Sequence, residues 1–246
     1  MALAVYAFLY LPLLSVVVFS FNSAKLSSSW TGFTLDWYRR LFADEQMLSA
    51  AWNSLAIALI ATAISVVVGT LAGLGLARYR ARWLDFLVVT PMAVPDILTG
   101  VSLLLFFVLI HLTLGMTSVV LAHVSFCVSF VAVVVRSALA NLDPNLVEAA
   151  RDLGATPLQA YRRVVIPVIM PGIVAGGLLA FTLSIDDFVI TFFTAGVGTT
   201  TLPLQIYSMI KVSITPIVNA VSTLLMLLTL TMIVIASRLA PDALRT

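Results

Sequence analysis

Six stretches of this 246-residue chain, 2–20, 51–77, 85–110, 117–136, 171–194 and 217–238, consist largely of Val, Leu, Ile, Ala and Phe. A helix needs roughly 20 apolar residues to cross a hydrocarbon core of about 30 Å. Hydrocarbon offers no partner to a backbone N–H or C=O, so such runs fold as helices that satisfy their own backbones. The expected fold class is therefore all-α: a polytopic membrane protein with six transmembrane helices in a single domain, 1–246. Composition agrees, with 61% hydrophobic and 10% charged residues, where soluble domains carry about 25% charged. The first run has no basic flank ahead of it and reads as a retained helix, not a cleaved signal peptide.

The basic residues orient these runs. Arg78, Arg80, Arg82, Arg136, Arg151, Arg162, Arg163, Arg238 and Arg245 fall in one set of connections. Lys25, Arg39, Arg40 and Lys211 fall in the other, offset there by Asp36, Asp44 and Glu45. Lys and Arg accumulate on the cytoplasmic side, so both termini and the connection 143–167 are expected inside. The loop 21–45 is expected outside, with Trp30, Trp37 and Tyr38, and Trp52 in the same belt, read as interfacial anchors or, alternatively, as direct contacts to a partner or substrate. Lys211 is placed in an outside loop that either meets a binding protein or is simply solvated.

Local signals punctuate the runs. Pro91 and Pro95 interrupt the third run, each removing a backbone donor. Gly69, Gly73 and Gly75 in the second run, with Gly172, Gly176 and Gly177 in the fifth, leave thin helix faces for close packing. The connection "EAARDLGATPLQAYRRVVIP", 148–167, is unlike its surroundings in being charged and polar. Asp143-Pro144 starts a helix, Gly154 suits its left-handed end, and Thr156-Pro157 starts a second helix that reaches Pro167. Two short helices meeting at a Gly-centred corner are expected. Glu148, Arg151, Asp152, Arg162 and Arg163 form the exposed face, and Leu146, Val147, Ala150, Leu153 and Leu158 are available for apolar contact. The small pair Ala149-Ala150 allows close approach, so the shape is that of a knob for a groove in another protein.

The same segment resembles the EAA loop of ABC importer permeases, whose pattern is Glu-Ala-Ala, three residues, Gly, nine residues, Ile, one residue, Leu-Pro. Glu148, Ala149, Ala150, Gly154 and Pro167 stand at the matching positions, with Val164 and Ile166 as conservative replacements. "PDILTGVSLLLFF", "LAHVSFC", "LAFTLSIDDFVITFF" and "TLPLQIYSMIKVSITPIVNAVSTL" extend the resemblance. Together they are similar to the second membrane subunit of spermidine/putrescine importers, over about residues 6–239. The resemblance implies a type I importer permease (MetI-like) fold in a bacterial inner membrane. It implies a coupling helix near Glu148–Gly154 that docks on an ATPase. It further implies a homologous second permease chain in a heterodimer, two ATPase subunits and a periplasmic or extracellular substrate-binding protein. ATP and Mg would be bound by the ATPases and no cofactor by this chain, which is not an enzyme. The alternatives are an ABC permease for another small cationic or amine solute, such as an opine or an amino-acid-derived amine, and an ion-gradient-driven secondary transporter.

Three acids sit where acids are costly: Asp96, Asp186 and Asp187. An ionised Asp at the centre of a spanning helix costs about 2.5–3.5 kcal/mol on insertion scales, so such residues face cavities or partners. At 1.5 Å per residue along straight helices, Asp96 lies roughly 18 Å from Leu84 and Asp186 roughly 22 Å from Pro171. Both heights suit a substrate path for a cation. Adjacent helix positions diverge by about 100°, so one of Asp186 and Asp187 is expected to face the path. The other is expected to be held by hydrogen bonds or by the partner chain. Competing assignments make Asp96 the cap of a restarted helix and pair the two neighbouring acids with a base on a second permease chain. His111 and His123 read as ordinary hydrogen-bonded histidines. Cys127 is the single cysteine, which excludes an internal disulfide or a Cys-based zinc site. No metal-ligand spacing, GxSxG or HExxH occurs, and "GVGTTT" lacks the Lys of a phosphate loop. No basic–aromatic interleaving indicates nucleic acid.

Overall fold

The computed structural model describes residues 2–24, 29–79, 82–143, 145–212 and 216–239. Of the positions used above, Lys25, Arg80, Pro144 and Arg245 lie outside the described residues, as does the side chain of Arg238. Helices α1 (Ala2–Phe19), α2 (Asp36–Ala43), α3 (Glu45–Tyr79), α4 (Arg82–Ala93), α5 (Asp96–Leu109) and α6 (Met116–Ala140) come first. They are followed by α7 (Asn145–Asp152), α8 (Pro157–Ala160), a π-helical turn (Tyr161–Val165), α9 (Ile166–Asp186), α10 (Val189–Thr194), α11 (Leu202–Val212) and α12 (Pro216–Leu239). The described residues pair as strands only in an isolated antiparallel bridge between Asn22 and Phe33.

Each of the six apolar runs contains helix, but their lengths differ from six straight crossings. By length and apolar composition, α3, α6 and the continuous rod Pro157–Asp186 can each cross a membrane. The third run does so only as the pair α4 and α5, bent by 107°. Among the described residues the first and last runs give shorter apolar helices, Val5–Phe19 and Pro216–Met232. The bend has a local cause. Pro91 stays inside α4, whereas Pro95 precedes α5 with an extended ψ of 137°. Pro95 donates no hydrogen bond and its ring disfavours helix at Val94, so the ladder stops there and restarts at Asp96.

The fifth run departs in the opposite sense. Its helix starts at Pro157, well before residue 171, and ends at Asp186, after which α10 is a separate piece. Pro167 does not end the second helix of the connection. The N–H of Ile166 bonds to the carbonyl of Tyr161, a residue further back than in an α-helix. This widened turn shifts the ladder just ahead of the position where Pro167 has no donor to give, so the rod continues. Two segments read as loops are helical, α2 within 21–45 and α11, which carries Lys211. The Lys211 ammonium stands 4.6 Å from the centre of the Tyr207 ring.

The chain forms two compact units, Met1–Ser54 with Gly198–Thr231, and Leu55–Val197 with Met232–Thr246. In the first, Leu41, Met47 and Val221 make a small core with Leu202, Ile206 and Met209. Buried Asn22 organises the turn after α1, donating to Ser29 O at 2.6 Å and accepting from Thr31 N at 2.9 Å. The Trp37 indole donates to the Asn22 carbonyl at 2.6 Å, so this ring is tied to protein, while Trp30 and Trp52 are exposed. Asn53 donates to the carbonyls of Gly198 and Thr200 at 3.1 and 3.0 Å.

In the second unit the core runs through Phe107, Phe126, Val131, Val135, Val165, Ile169, Ile173 and Ile190. Without a hydrophobic force between helices in lipid, close packing carries their association. A Cβ placed on Gly69 would lie 2.6 Å from Val131 Cβ, and one on Gly73 would lie 2.9 Å from the Ala132 carbonyl oxygen. Gly172 and Gly177 likewise leave no room against Ala138 and Val66, whereas Gly75 has open space. Gly73→Val is therefore expected to destabilise the protein by about 1–3 kcal/mol through overpacking, while Gly75→Ala is expected to be neutral or mildly stabilising. Equilibrium unfolding in detergent compares the two.

Candidate functional site

The polar connection is built as a rigid corner. Asp143 accepts from Asn145 N at 2.9 Å and starts α7. At the other end Gly154 takes φ +86°, its N–H bonding Arg151 O at 2.9 Å and the N–H of Ala155 bonding Ala150 O at 3.0 Å. This pair of bonds is the Schellman ending, which needs a left-handed residue and therefore favours Gly. Thr156 then caps α8 reciprocally: its hydroxyl accepts from Gln159 N at 3.3 Å and Gln159 Oε1 accepts from Thr156 N at 2.9 Å. The box strengthens a start already marked by Thr156-Pro157.

Glu148, Ala149, Arg151 and Asp152 are exposed, Ala150 is half-buried, and Pro167 is exposed on the rod beyond. Leu153 and Leu158, both available for apolar contact, are 91% and 76% exposed, while Val147 packs onto the core. A recess of about 590 Å³ is bounded by Glu148, Arg151, Asp152 and Gly154–Pro157. A second, of about 720 Å³, lies between Leu74, Arg78, Leu139 and Leu142 on one side and Val147, Glu148, Arg151, Tyr161 and Val165 on the other. The corner thus presents exposed charged side chains together with the exposed Leu153 and Leu158.

The three acids separate into two roles. Asp96 in the first turn of α5 and Asp186 at the end of α9 are exposed, and both line one cavity of about 390 Å³. Phe126, Phe130 and Phe188 line it with them. The straight-helix height for Asp96 does not apply, because the 107° bend intervenes between Leu84 and Asp96. Nor does Asp96 cap α5 with its side chain; Pro95 holds the cap position.

Asp187 also borders the cavity, but its side chain is 9% exposed and turned into protein. Its carboxylate accepts from Thr191 N at 2.8 Å, Thr191 Oγ1 at 2.8 Å and Ile190 N at 3.4 Å, capping α10. Of the adjacent acids, Asp187 is the one held by hydrogen bonds. His123 joins it: Nδ1 lies 2.7 Å from Ser184 Oγ, and Nε2 lies 2.9 Å from Thr191 Oγ1 and 3.4 Å from Asp187 Oδ2. His123 is thus hydrogen-bonded, as read, but its link to the acids was missed. The available signal was the spacing Ser184, Asp187, Thr191, close to one helix face. Also missed was the ion pair of Asp85 with Arg136, between α4 and α6. No group of three potential metal ligands occurs among the described residues.

Residues 65–244 match the family described as binding-protein-dependent transport system inner membrane component. The chain belongs to this family. It is 40% identical over 242 residues, 97% of this chain and 92% of the other, to the spermidine/putrescine transport system permease protein PotC of Escherichia coli (strain K12). It is 43% identical over 231 residues, 90% of this chain and 82% of the other, to that organism's putrescine transport system permease protein PotI. The fold is shared with a chain of a bacterial ABC transporter involved in import of the acidic polysaccharide alginate. That match has a TM-score of 0.76 and 17% identity, covering 100% of this chain and 94% of the other. The chain is therefore a multi-pass inner-membrane permease of an ABC importer and not a catalytic enzyme. The stability of the permease's corner is expected to depend on Gly154 through its backbone conformation and not through packing within the chain, since a Cβ there meets nothing within 4 Å. Gly154→Ala is expected to cost about 1 kcal/mol and Thr156→Ala about the same. Both are measurable by unfolding of the purified protein.

Proposed function

We propose that this chain is one of two homologous membrane subunits of an ATP-driven polyamine importer, with spermidine or putrescine as substrate. The observation that carries the substrate class is the cavity that holds Asp96 and Asp186 together beside Phe126, Phe130 and Phe188. Exposed carboxylates attract ammonium groups, and aromatic faces attract them further when water is scarce. An extended di- or triamine presents cationic centres joined by methylenes, which matches acids interleaved with rings. The 40% identity to a relative named for spermidine and putrescine, across nearly the whole chain, supports the same class.

In this reading both termini and the corner 143–157 face the cytoplasm, and six apolar segments enclose half of the path. Glu148, Ala149, Ala150 and Gly154 seat on one of two ATPase subunits, which bind ATP and Mg, and Pro167, at the far end of the same loop pattern, belongs to the same coupling element. A substrate-binding protein delivers the amine on the opposite side. ATP binding draws the two corners together and favours the outward-open arrangement, which requires that arrangement to bind ATP more tightly than the inward one.

Two measurements test the proposal. In the reconstituted complex, Asp186→Asn and Asp96→Asn are each expected to slow uptake of labelled spermidine and putrescine by on the order of tenfold. Unchanged uptake in both removes the acids from the route. Glu148→Lys and Gly154→Asp are expected to insert normally yet lose co-purification with the ATPase or its stimulation by loaded binding protein. Normal coupling in both defeats the docking assignment.

A further inference from the structure

The break between α9 and α10 is spanned by a side chain from a third helix. Ser184 precedes the break, Asp187 occupies it and Thr191 follows it; His123 of α6, 1% exposed, touches all three. Donors and acceptors close in one direction. The Thr191 hydroxyl donates to Asp187 Oδ2 at 2.8 Å, so its oxygen is left to accept from His123 Nε2–H at 2.9 Å. Nδ1 then accepts from the Ser184 hydroxyl at 2.7 Å. With the ring protonated on Nε2 alone, each side-chain donor in the chain Ser184, His123, Thr191, Asp187 has an acceptor. A buried network satisfied at every member resists rearrangement, because opening one bond leaves a buried polar group without a partner.

The network has a consequence for Asp186. It holds the Asp187 carboxylate on the amides of Ile190 and Thr191 across the break, directly after Asp186, the last residue of α9, which lines the cavity shared with Asp96. We infer that His123 is a positioning residue for the cation path: it clamps the turn that presents Asp186, while Asp187 serves as the anchor of the clamp and not as a ligand. This rests on the amine-path reading above.

The test is a cycle in the complete reconstituted complex, with uptake rate read at saturating spermidine-loaded binding protein. Asp186→Asn alone sets the reference loss. His123→Phe, which keeps the ring and removes both polar ends, is expected to slow uptake on the order of tenfold. His123→Gln, which retains a donor toward Thr191, is expected to recover most of that loss. Because His123 acts through Asp186, the double variant His123→Phe/Asp186→Asn is expected to be no slower than Asp186→Asn. Should the Phe variant not assemble, Ser184→Ala removes one end of the clamp and takes its place in the cycle. Losses that multiply in the double variant, or normal uptake in the His123 and Ser184 variants, overturn the inference and leave the amine path standing. Normal uptake in Asp186→Asn overturns the inference, and normal uptake in Asp96→Asn as well overturns the amine path with it.

Discussion

An amide left unpaired in hydrocarbon has no water to turn to, so each interruption of a helix in this chain must be covered by protein. Two such interruptions in the second unit border its cavity. At Val94–Pro95 the cyclic residue removes the donor that would have gone unpaired, and α5 restarts with an acid in its first turn, where the helix dipole favours negative charge. At Asp187–Phe188 the Asp187 carboxylate takes the first free amides of α10. The restarted pieces then pack on one another: a Cβ on Gly100 of α5 would lie 2.7 Å from Phe193 Cδ2 and 3.4 Å from Ile190 Cα. Placing the breaks side by side is what brings Asp96 and Asp186, 90 positions apart by their numbers, to one cavity.

Much of this was legible in the residues, and what was not has physical causes. Apolar runs located the six helical segments because lipid admits little else for a stretch of that length. Turn chemistry located the corner, because Asp143, Gly154 and Thr156 act on backbone groups within a few residues of themselves. Proline marked where the ladder is interrupted in the third run but carried no angle, so a 107° bend was read as a straight crossing. At Pro167 the same signal misled, since a π-helical turn re-registers the bonds and the helix passes through. The spacing of Ser184, Asp187 and Thr191 puts three polar side chains near one helix face, but it does not say that His123 faces them: its hydrogen-bond partners lie 61 and 68 residues away.

The continuous rod changes how the two sites relate. A helix that ended at Pro167 would have left a joint between the corner and the acids. Instead the capping box at Thr156–Gln159 and the carboxylate of Asp186 belong to one 30-residue element, about 45 Å long at 1.5 Å per residue. Both of its ends are fixed by side-chain hydrogen bonds, the first by reciprocal capping and the second through Ser184 to His123. Val165, Ile169, Ile173 and Ala180 bury its flank against the core between them. The helix is thus continuous from the corner to the turn beside the cavity.

The fold does not set the sign of the cargo. A chain of the same fold serves a transporter involved in import of an acidic polysaccharide, at 17% identity and a TM-score of 0.76. Function has therefore to be argued from the site, and here the site carries two exposed carboxylates and three phenyl rings, with no basic side chain among the described residues that line the same cavity. An anion entering that space would meet repulsion from both acids and the negative faces of the rings, whereas an amine would meet attraction from each. The third acid would be a liability for selectivity if it too were free, since a cluster of carboxylates binds cations without regard to spacing. Asp187 is engaged by Thr191 and His123, which leaves Asp96 and Asp186 as the exposed acids of the cavity.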